Sequence, residues 1–169
     1  MKKKTNFMSV VLIVTFTLVG CAKELTVKEP GNLVPKTVTE DPSLPSLAVN
    51  GTTLHAETFG NPDSPMVVML HGGPGADYRS MLKLKALAGD GYFVVFYDQR
   101  GTGLSQRHNK SIYSIQVMLD DLTAVINRYR KSSNQKIFLL GHSWGAMLAT
   151  AYVNAYPAAI NGVILAEPG

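Results

Sequence analysis

This sequence of 169 residues contains little cysteine and carries no large excess of either charge outside its first four residues. The chain has one cysteine, Cys21, so no disulfide can form within it. Three of its sixteen basic residues are Lys2, Lys3 and Lys4, and the remaining thirteen face twelve acidic residues. No dense basic patch with interleaved aromatic residues occurs elsewhere in the chain. This composition argues against nucleic acid as a partner.

Long apolar runs are also rare, and the longest follows the three lysines at residues 7–19. A run of about thirteen residues is too short to span a bilayer comfortably, but it is typical of a secretory signal. Leu18 to Cys21 resembles the lipobox of bacterial lipoproteins, which implies an exported protein anchored to a membrane by lipid on Cys21. Ala22 after the cysteine favours the outer membrane or the cell surface. The alternative is an ordinary signal peptide with an unrelated cysteine.

Composition divides the chain into three segments. Residues 1–20 are predicted to be the signal peptide. Residues 21–46 contain four prolines without a sustained apolar period, which is typical of an extended tether. Residues 47–169 have the alternating apolar pattern of a folded domain.

The folded segment alternates between strand and helix patterns. Asn50-Gly51 between two alternating stretches predicts a hairpin with a two-residue turn. Buried strands alternating with helices predict an α/β fold with a doubly wound, mostly parallel sheet and helices on both faces. The predicted strands are 66–70, 92–98, 137–140 and 162–166, and the predicted helices are 78–88, 114–131 and 144–156.

A serine between two glycines follows the third of these strands. Gly141, Ser143 and Gly145 have the spacing of a nucleophile elbow, in which a strand enters a tight turn and a helix leaves it. This turn holds the serine oxygen above the sheet, near a helix N-terminus. Ser143 is therefore the predicted nucleophile. The alternative is a glycine-rich turn with a serine that caps the helix.

The oxyanion of an acyl-transfer intermediate needs two fixed N–H donors. The backbone N–H of Trp144 is the first candidate, because it follows the nucleophile. The second is expected from the glycine-rich loop at residues 71–75, from Gly73 or, failing that, Gly72. His71 is interpreted as a hydrogen-bonded structural residue rather than the catalytic base. His71, Gly72, Pro74 and the Trp144 side chain are expected to line the substrate pocket.

Asp98 ends the strand predicted at residues 92–98, and Arg100 lies in the turn that follows it. A carboxylate and a guanidinium in one tight turn are expected to pair with each other or with neighbouring backbone, which would hold this loop beside residues 71–75. His55 and His108 are given no role.

Three motifs in order, HGGPG (71–75), YDQRGTGLS (97–105) and GHSWG (141–145), resemble the proline iminopeptidase branch of the α/β-hydrolases. The resemblance implies Ser143 as nucleophile and the N–H groups of Gly73 and Trp144 as oxyanion donors. It implies an acyl-enzyme reaction that releases the N-terminal residue of a short peptide, without metal or cofactor. An esterase, a lactonase or another amidase of the same superfamily is the alternative.

In this family the triad acid and histidine follow the serine. No histidine or aspartate follows Ser143, and Glu167 is the one downstream carboxylate. Glu167 is a candidate acid, although the acid more often follows the next strand. The chain is therefore expected to be an N-terminal portion that ends after about the sixth strand, without cap domain or base, and inactive by itself. A lipid-anchored binding protein without catalysis is the competing hypothesis.

Overall fold

The computed structural model describes residues 34–168. The predicted signal peptide and Cys21 lie outside these residues. Within them, no helix is both long and apolar enough to cross a lipid bilayer.

The domain is built on one sheet of six strands in the order β1-β2-β4-β3-β5-β6. β2 is antiparallel to both β1 and β4, whereas β3, β4, β5 and β6 are mutually parallel. The predicted fold class is thereby confirmed. The strands are β1 (Ser46–Val49), β2 (Thr52–Phe59), β3 (Met66–Leu70), β4 (Phe93–Tyr97), β5 (Ile137–His142) and β6 (Gly162–Ala166).

The predicted hairpin joins β1 to β2. Asn50 and Gly51 have φ angles of 44° and 71°, the positive values that a two-residue type I′ turn requires. Val49 pairs with Thr52 directly across this turn. Asparagine and glycine adopt positive φ at least cost, which explains the pair at this position.

Helices cover both faces of the sheet, as predicted. The α-helices are α1 (Ile115–Tyr129) and α2 (Trp144–Ala155), and both pack on one face. Ser114 caps α1, since its hydroxyl accepts a hydrogen bond from the N–H of Val117 at 3.2 Å. A 3₁₀ helix (Tyr78–Ala88) packs on the other face, and a second, short one (Lys110–Ile112) precedes α1.

The segment predicted as a helix at residues 78–88 is a 3₁₀ helix, which is unusually long for this type. Its apolar residues explain the geometry. Tyr78, Met81, Leu84 and Leu87 recur every third residue, and side chains with that spacing are aligned when the helix has three residues per turn. All four pack into the apolar cluster that β3 and β4 form on this face.

The strand at 162–166 is present, but the expectation that it is buried is wrong. β6 pairs only with β5 and forms an edge of the sheet. Val163, Ile164 and Leu165 are 36%, 58% and 42% exposed.

The last part of the predicted tether belongs to the folded unit, which begins at Pro35. Thr37 and Val38 are 5% and 6% exposed. The N–H of Val38 donates to the carbonyl oxygen of Leu104 at 2.8 Å, which attaches this segment to the loop after β4.

Candidate active site

Ser143 is the single residue between β5 and α2. Its backbone has φ 52° and ψ −121°, a conformation that non-glycine residues rarely adopt. The Ser143 N–H donates to the carbonyl oxygen of Ala166 at 2.9 Å, which ties the turn to the end of β6. The residue is partly exposed at the carboxyl edge of the parallel strands. The turn thus has the strand, strained residue and helix of a nucleophile elbow.

Both glycines of the elbow are required by close approach of backbone. A Cβ atom on Gly145 would overlap the carbonyl oxygen of Leu70 on the neighbouring strand β3. A Cβ atom on Gly141 would overlap the backbone of Gly145. Because backbone atoms cannot move aside as a flexible side chain would, no larger residue fits at either position without displacing the turn.

The glycine-rich loop after β3 reaches Ser143. A Cβ atom placed on Gly72 would lie 3.3 Å from the Cβ of Ser143, so the two backbones are adjacent. Gly73 has φ 137°, a value that residues with a side chain rarely adopt. A Cβ atom at Gly73 would also overlap the backbone N of Gly75. The Trp144 N–H lies in the first turn of α2, where backbone donors have no partner within the helix. The two predicted oxyanion donors therefore belong to segments on either side of Ser143.

His71 is buried beneath this loop, with 1% of its surface exposed. Its Nδ1 donates to the carbonyl oxygen of Gly72 at 2.8 Å, and its Nε2 accepts from the N–H of Gln99 at 3.0 Å. Burial lowers the pKa of His71, against smaller opposing effects from the Gly72 carbonyl and nearby carboxylates. Both ring nitrogens of a neutral imidazole are thus engaged away from Ser143.

A cavity of about 580 Å³ opens beside the elbow. Pro74 and Trp144, both predicted to line the substrate pocket, contribute to the wall of this cavity, together with Gln99, Tyr113 and Met118. His71 and Gly72, predicted in the same wall, are not part of this lining. His71 lies too deep, since its side chain is directed into the packed interior.

Asp98 and Arg100 do not pair with each other, so the first of the two predicted arrangements is wrong. The Asp98 carboxylate is wholly buried and accepts hydrogen bonds from the N–H groups of Tyr78 and Leu104, both at 2.8 Å. Pairing with backbone, the second arrangement, therefore describes Asp98. These contacts hold the start of the 3₁₀ helix and the loop after β4 together.

Arg100 instead binds Asp121 on α1 through two short hydrogen bonds, both at 2.7 Å. It also donates to the carbonyl oxygen of Asn50 in the hairpin turn at 3.0 Å. Asp121 is not among the residues predicted from the sequence. The signal was present, because Asp121 lies on the same buried face of α1 as Met118 and Leu122.

His55, for which no role is predicted from the sequence, is the third partner of Asp98. Its Nδ1 lies 3.0 Å from Asp98 Oδ2, and its Nε2 lies 3.3 Å from Glu57 Oε1. The ring is wholly buried against Tyr78, with ring centroids 4.6 Å apart. No sequence pattern indicated this contact, since both faces of β2 are covered at this point and alternation gives no distinction.

Glu167 follows β6 and has φ 48°. Its carboxylate lies 3.5 Å from His142 Nε2, and the two side chains are 88% and 44% exposed. His108, the remaining histidine, contacts the hydroxyl of Thr52 at 2.7 Å. Each of the four histidines therefore has a partner other than Ser143. The role of Glu167 as triad acid stays a prediction.

Comparison with known proteins identifies relatives of this chain. The family described as Serine aminopeptidase, S33 matches residues 61–169. Epoxide hydrolase B of Mycobacterium tuberculosis is 36% identical over 121 residues, which cover 70% of this chain and 33% of that protein. A proline iminopeptidase of Heyndrickxia coagulans is 38% identical over 104 residues, 60% of this chain and 34% of its own length.

A solved structure shares the fold over most of the described domain. The thioesterase domain from the curacin biosynthetic pathway superposes with a TM-score of 0.63 at 32% identity, covering 71% of this chain and 44% of that one. The chain spans about a third of the length of the curated relatives it matches.

Proposed function

Because the chain belongs to the serine aminopeptidase S33 family and has the α/β-hydrolase fold, we propose that Ser143 is the nucleophile of an acyl-transfer hydrolase. The observation that carries this proposal is the backbone of Ser143, held at φ 52° between β5 and α2. Strain of this kind persists where the surrounding structure enforces it, and it is concentrated at functional sites. A protein that only binds a partner has no need of it.

The proposed reaction has two stages. Ser143 Oγ attacks the carbonyl carbon, a general base takes the hydroxyl proton, and the carbonyl oxygen becomes an oxyanion that the N–H groups of Trp144 and Gly73 stabilise. The carbon–nitrogen or carbon–oxygen bond then breaks, and the leaving group departs with a proton from the same base. Water hydrolyses the resulting ester on Ser143 by the reverse sequence and releases the acid.

We place the general base outside the described residues, because His55, His71, His108 and His142 all face other partners. A serine hydroxyl without a base is a weak nucleophile near neutral pH. The chain of 169 residues should therefore show negligible turnover by itself. Activity should be assayed on the protein expressed from its complete gene.

A serine at the elbow favours carbonyl substrates over epoxides. Attack of a carboxylate on an epoxide leaves an ester that water can hydrolyse, whereas attack of Ser143 Oγ would leave an ether that water does not cleave under mild conditions. The similarity to an epoxide hydrolase therefore supports the fold, and the similarity to a proline iminopeptidase supports the substrate class. We propose release of an N-terminal residue from short peptides as the reaction.

A substrate panel tests this proposal. Prolyl and other aminoacyl arylamides, an N-acetylated prolyl arylamide, aryl esters, a lactone and an epoxide are compared on the protein from the complete gene. We expect the free-amine prolyl arylamide to be hydrolysed fastest and Ser143→Ala to abolish turnover. Faster hydrolysis of esters or of the lactone would replace the peptidase by an esterase or lactonase. No turnover of any substrate would favour a binding protein.

We further propose that the mature protein is exported and anchored to a bacterial membrane through lipid on Cys21. The lipobox-like run Leu18–Cys21 after a basic and apolar segment supports this. Mass spectrometry of the mature N-terminus tests it, with Cys21→Ser as the comparison. Cleavage at another residue, or an unmodified Cys21, would contradict the proposal.

A further inference from the structure

We propose that Gln99 is a positioning residue that fixes both oxyanion donors relative to Ser143. This inference rests on the proposed function, since it concerns the same site. Gln99 is the second residue after β4 and is 2% exposed. Its backbone and side chain contact the glycine-rich loop on one side and Trp144 on the other.

The first set of contacts fixes the loop that carries Gly73. The Gln99 backbone N–H donates to His71 Nε2 at 3.0 Å, which leaves the proton of the neutral ring on Nδ1. That Nδ1–H donates to the carbonyl oxygen of Gly72 at 2.8 Å. Because the peptide unit between Gly72 and Gly73 is planar, holding the Gly72 oxygen also fixes the direction of the Gly73 N–H.

The side-chain amide of Gln99 then joins this loop to the elbow. Its Nε2 donates to the carbonyl oxygen of His71 at 2.8 Å, and its Oε1 accepts from the indole Nε1 of Trp144 at 2.9 Å. Trp144 supplies the other oxyanion donor through its backbone N–H. One amide group therefore links the loop that carries Gly73 to the residue that carries the second donor.

The chemistry of these contacts requires an amide. The position needs one donor for the His71 carbonyl and one acceptor for the Trp144 indole, and glutamine provides both on one planar group. The backbone of Gln99 is itself anchored, since its main-chain carbonyl oxygen accepts from both the N–H and the hydroxyl of Thr102, at 3.0 and 2.8 Å. Because the Gln99 side chain is already ordered by these contacts, little further conformational entropy is lost when a substrate binds.

The test replaces Gln99 by methionine, whose side chain has similar length but no donor and only a weakly accepting sulfur. The backbone N–H that contacts His71 is kept. In the protein from the complete gene, we expect Gln99→Met to lower kcat by about tenfold to a hundredfold, less than or equal to the loss of a whole oxyanion donor. KM should change by less than about threefold, because the uncharged ground state depends little on these donors. Affinity for a boronic acid that mimics the tetrahedral intermediate should fall in parallel with kcat/KM.

Trp144→Phe removes the indole donor from the other end of the same contact. We expect Trp144→Phe to have a lower kcat than the unmodified enzyme. The double variant Gln99→Met/Trp144→Phe should have the same kcat as Gln99→Met alone, since the effects of residues that act as one unit are not additive. Gln116→Met is the matched control, because Gln116 lies on the exposed face of α1, where it contacts Asp120. This control should keep the kcat of the unmodified enzyme.

Two outcomes would overturn the inference, and they differ from failure of the proposed function. If Ser143→Ala abolishes turnover while Gln99→Met keeps kcat within about twofold, Gln99 does not position the donors. Should Gln99→Met not fold, as judged by circular dichroism, an unchanged kcat in Trp144→Phe would overturn the inference equally. Full activity in Ser143→Ala would instead reject the proposed nucleophile.

Discussion

Arg100 and Asp121 form a bidentate ion pair in the interior of the domain. The Nε–Oδ2 and Nη2–Oδ1 distances are both 2.7 Å, and the two side chains are 5% and 2% exposed. The hydrogen bond with the Asp121 carboxylate, against the opposing effect of burial, raises the pKa of Arg100 and keeps its charge. Asn50 adds a side-chain bond to Asp121 at 3.1 Å. This cluster connects the hairpin turn, the loop after β4 and helix α1.

Removing one partner should destabilise the domain strongly. Asp121→Ala leaves the Arg100 guanidinium buried without a counter-charge, for which we expect a loss of about 3–5 kcal/mol in the free energy of unfolding. Urea denaturation of the two proteins measures it. Asp120→Ala is the matched control, because Asp120 is the neighbouring residue on the exposed side of α1, and it should cost less than about 0.5 kcal/mol. Equal losses in the two variants would contradict the prediction.

The local pattern of the sequence predicted this cluster only in part. Asn50-Gly51 specified the hairpin turn, and apolar periodicity specified α1, because both depend on residues close together in the chain. The partner of Arg100 depends on how α1 packs beside β1, which no local pattern encodes. Of the two predicted arrangements for Asp98 and Arg100, the ion pair between them is therefore wrong, because Arg100 pairs with Asp121.

In the candidate site, too, the features that depend on neighbouring residues could be predicted, and those that depend on distant residues could not. The elbow could be predicted because Gly141, Ser143 and Gly145 meet steric demands within one turn. Gln99 could not be identified, since its importance arises from contacts with His71 and Trp144, residues 28 and 45 positions away. The sequence predicts a helix at residues 78–88 without specifying its type. On an α-helix Tyr78 and Leu87 would lie about 180° apart, so apolar residues at every third position favour the 3₁₀ form.

Gly145→Ala should prevent the elbow from forming. The added methyl group would overlap the carbonyl oxygen of Leu70, and strand β3 cannot withdraw without breaking its pairing with β5. We expect a loss of about 3 kcal/mol or more in the free energy of unfolding, measured by urea denaturation. Gly89→Ala is the control, because Gly89 is exposed and has φ −70°, which alanine adopts readily. A stable Gly145→Ala protein would show that the turn has room to relax.

His71 should make the domain less stable in mild acid. Burial lowers the pKa of His71 in the folded protein below its unfolded value of about 6.5. The unfolded chain therefore binds a proton first as the pH falls, so stability present above about pH 6.5 is lost between that value and the folded pKa. Urea denaturation at pH values from about 5 to about 8 measures the free energy of unfolding. This free energy should fall as the pH is lowered, and it should fall less steeply in His71→Gln than in the unmodified protein. Identical slopes would contradict the prediction.

The strained backbone of Ser143 at the elbow should reduce the stability of the folded domain. Its φ of 52° with ψ −121° lies in a region that glycine adopts freely, whereas a residue with a Cβ atom is strained by about 1–3 kcal/mol there. Both Ser143→Ala and Ser143→Gly remove the hydroxyl, but only glycine relieves the strain. We expect Ser143→Gly to be more stable than Ser143→Ala by about 0.5–2 kcal/mol in urea denaturation, after the greater flexibility of unfolded glycine is included. Ala151→Gly, within α2, should have the opposite sign and cost about 1 kcal/mol, because glycine is unfavourable inside a helix. If glycine were destabilising at both positions, the turn would not be strained.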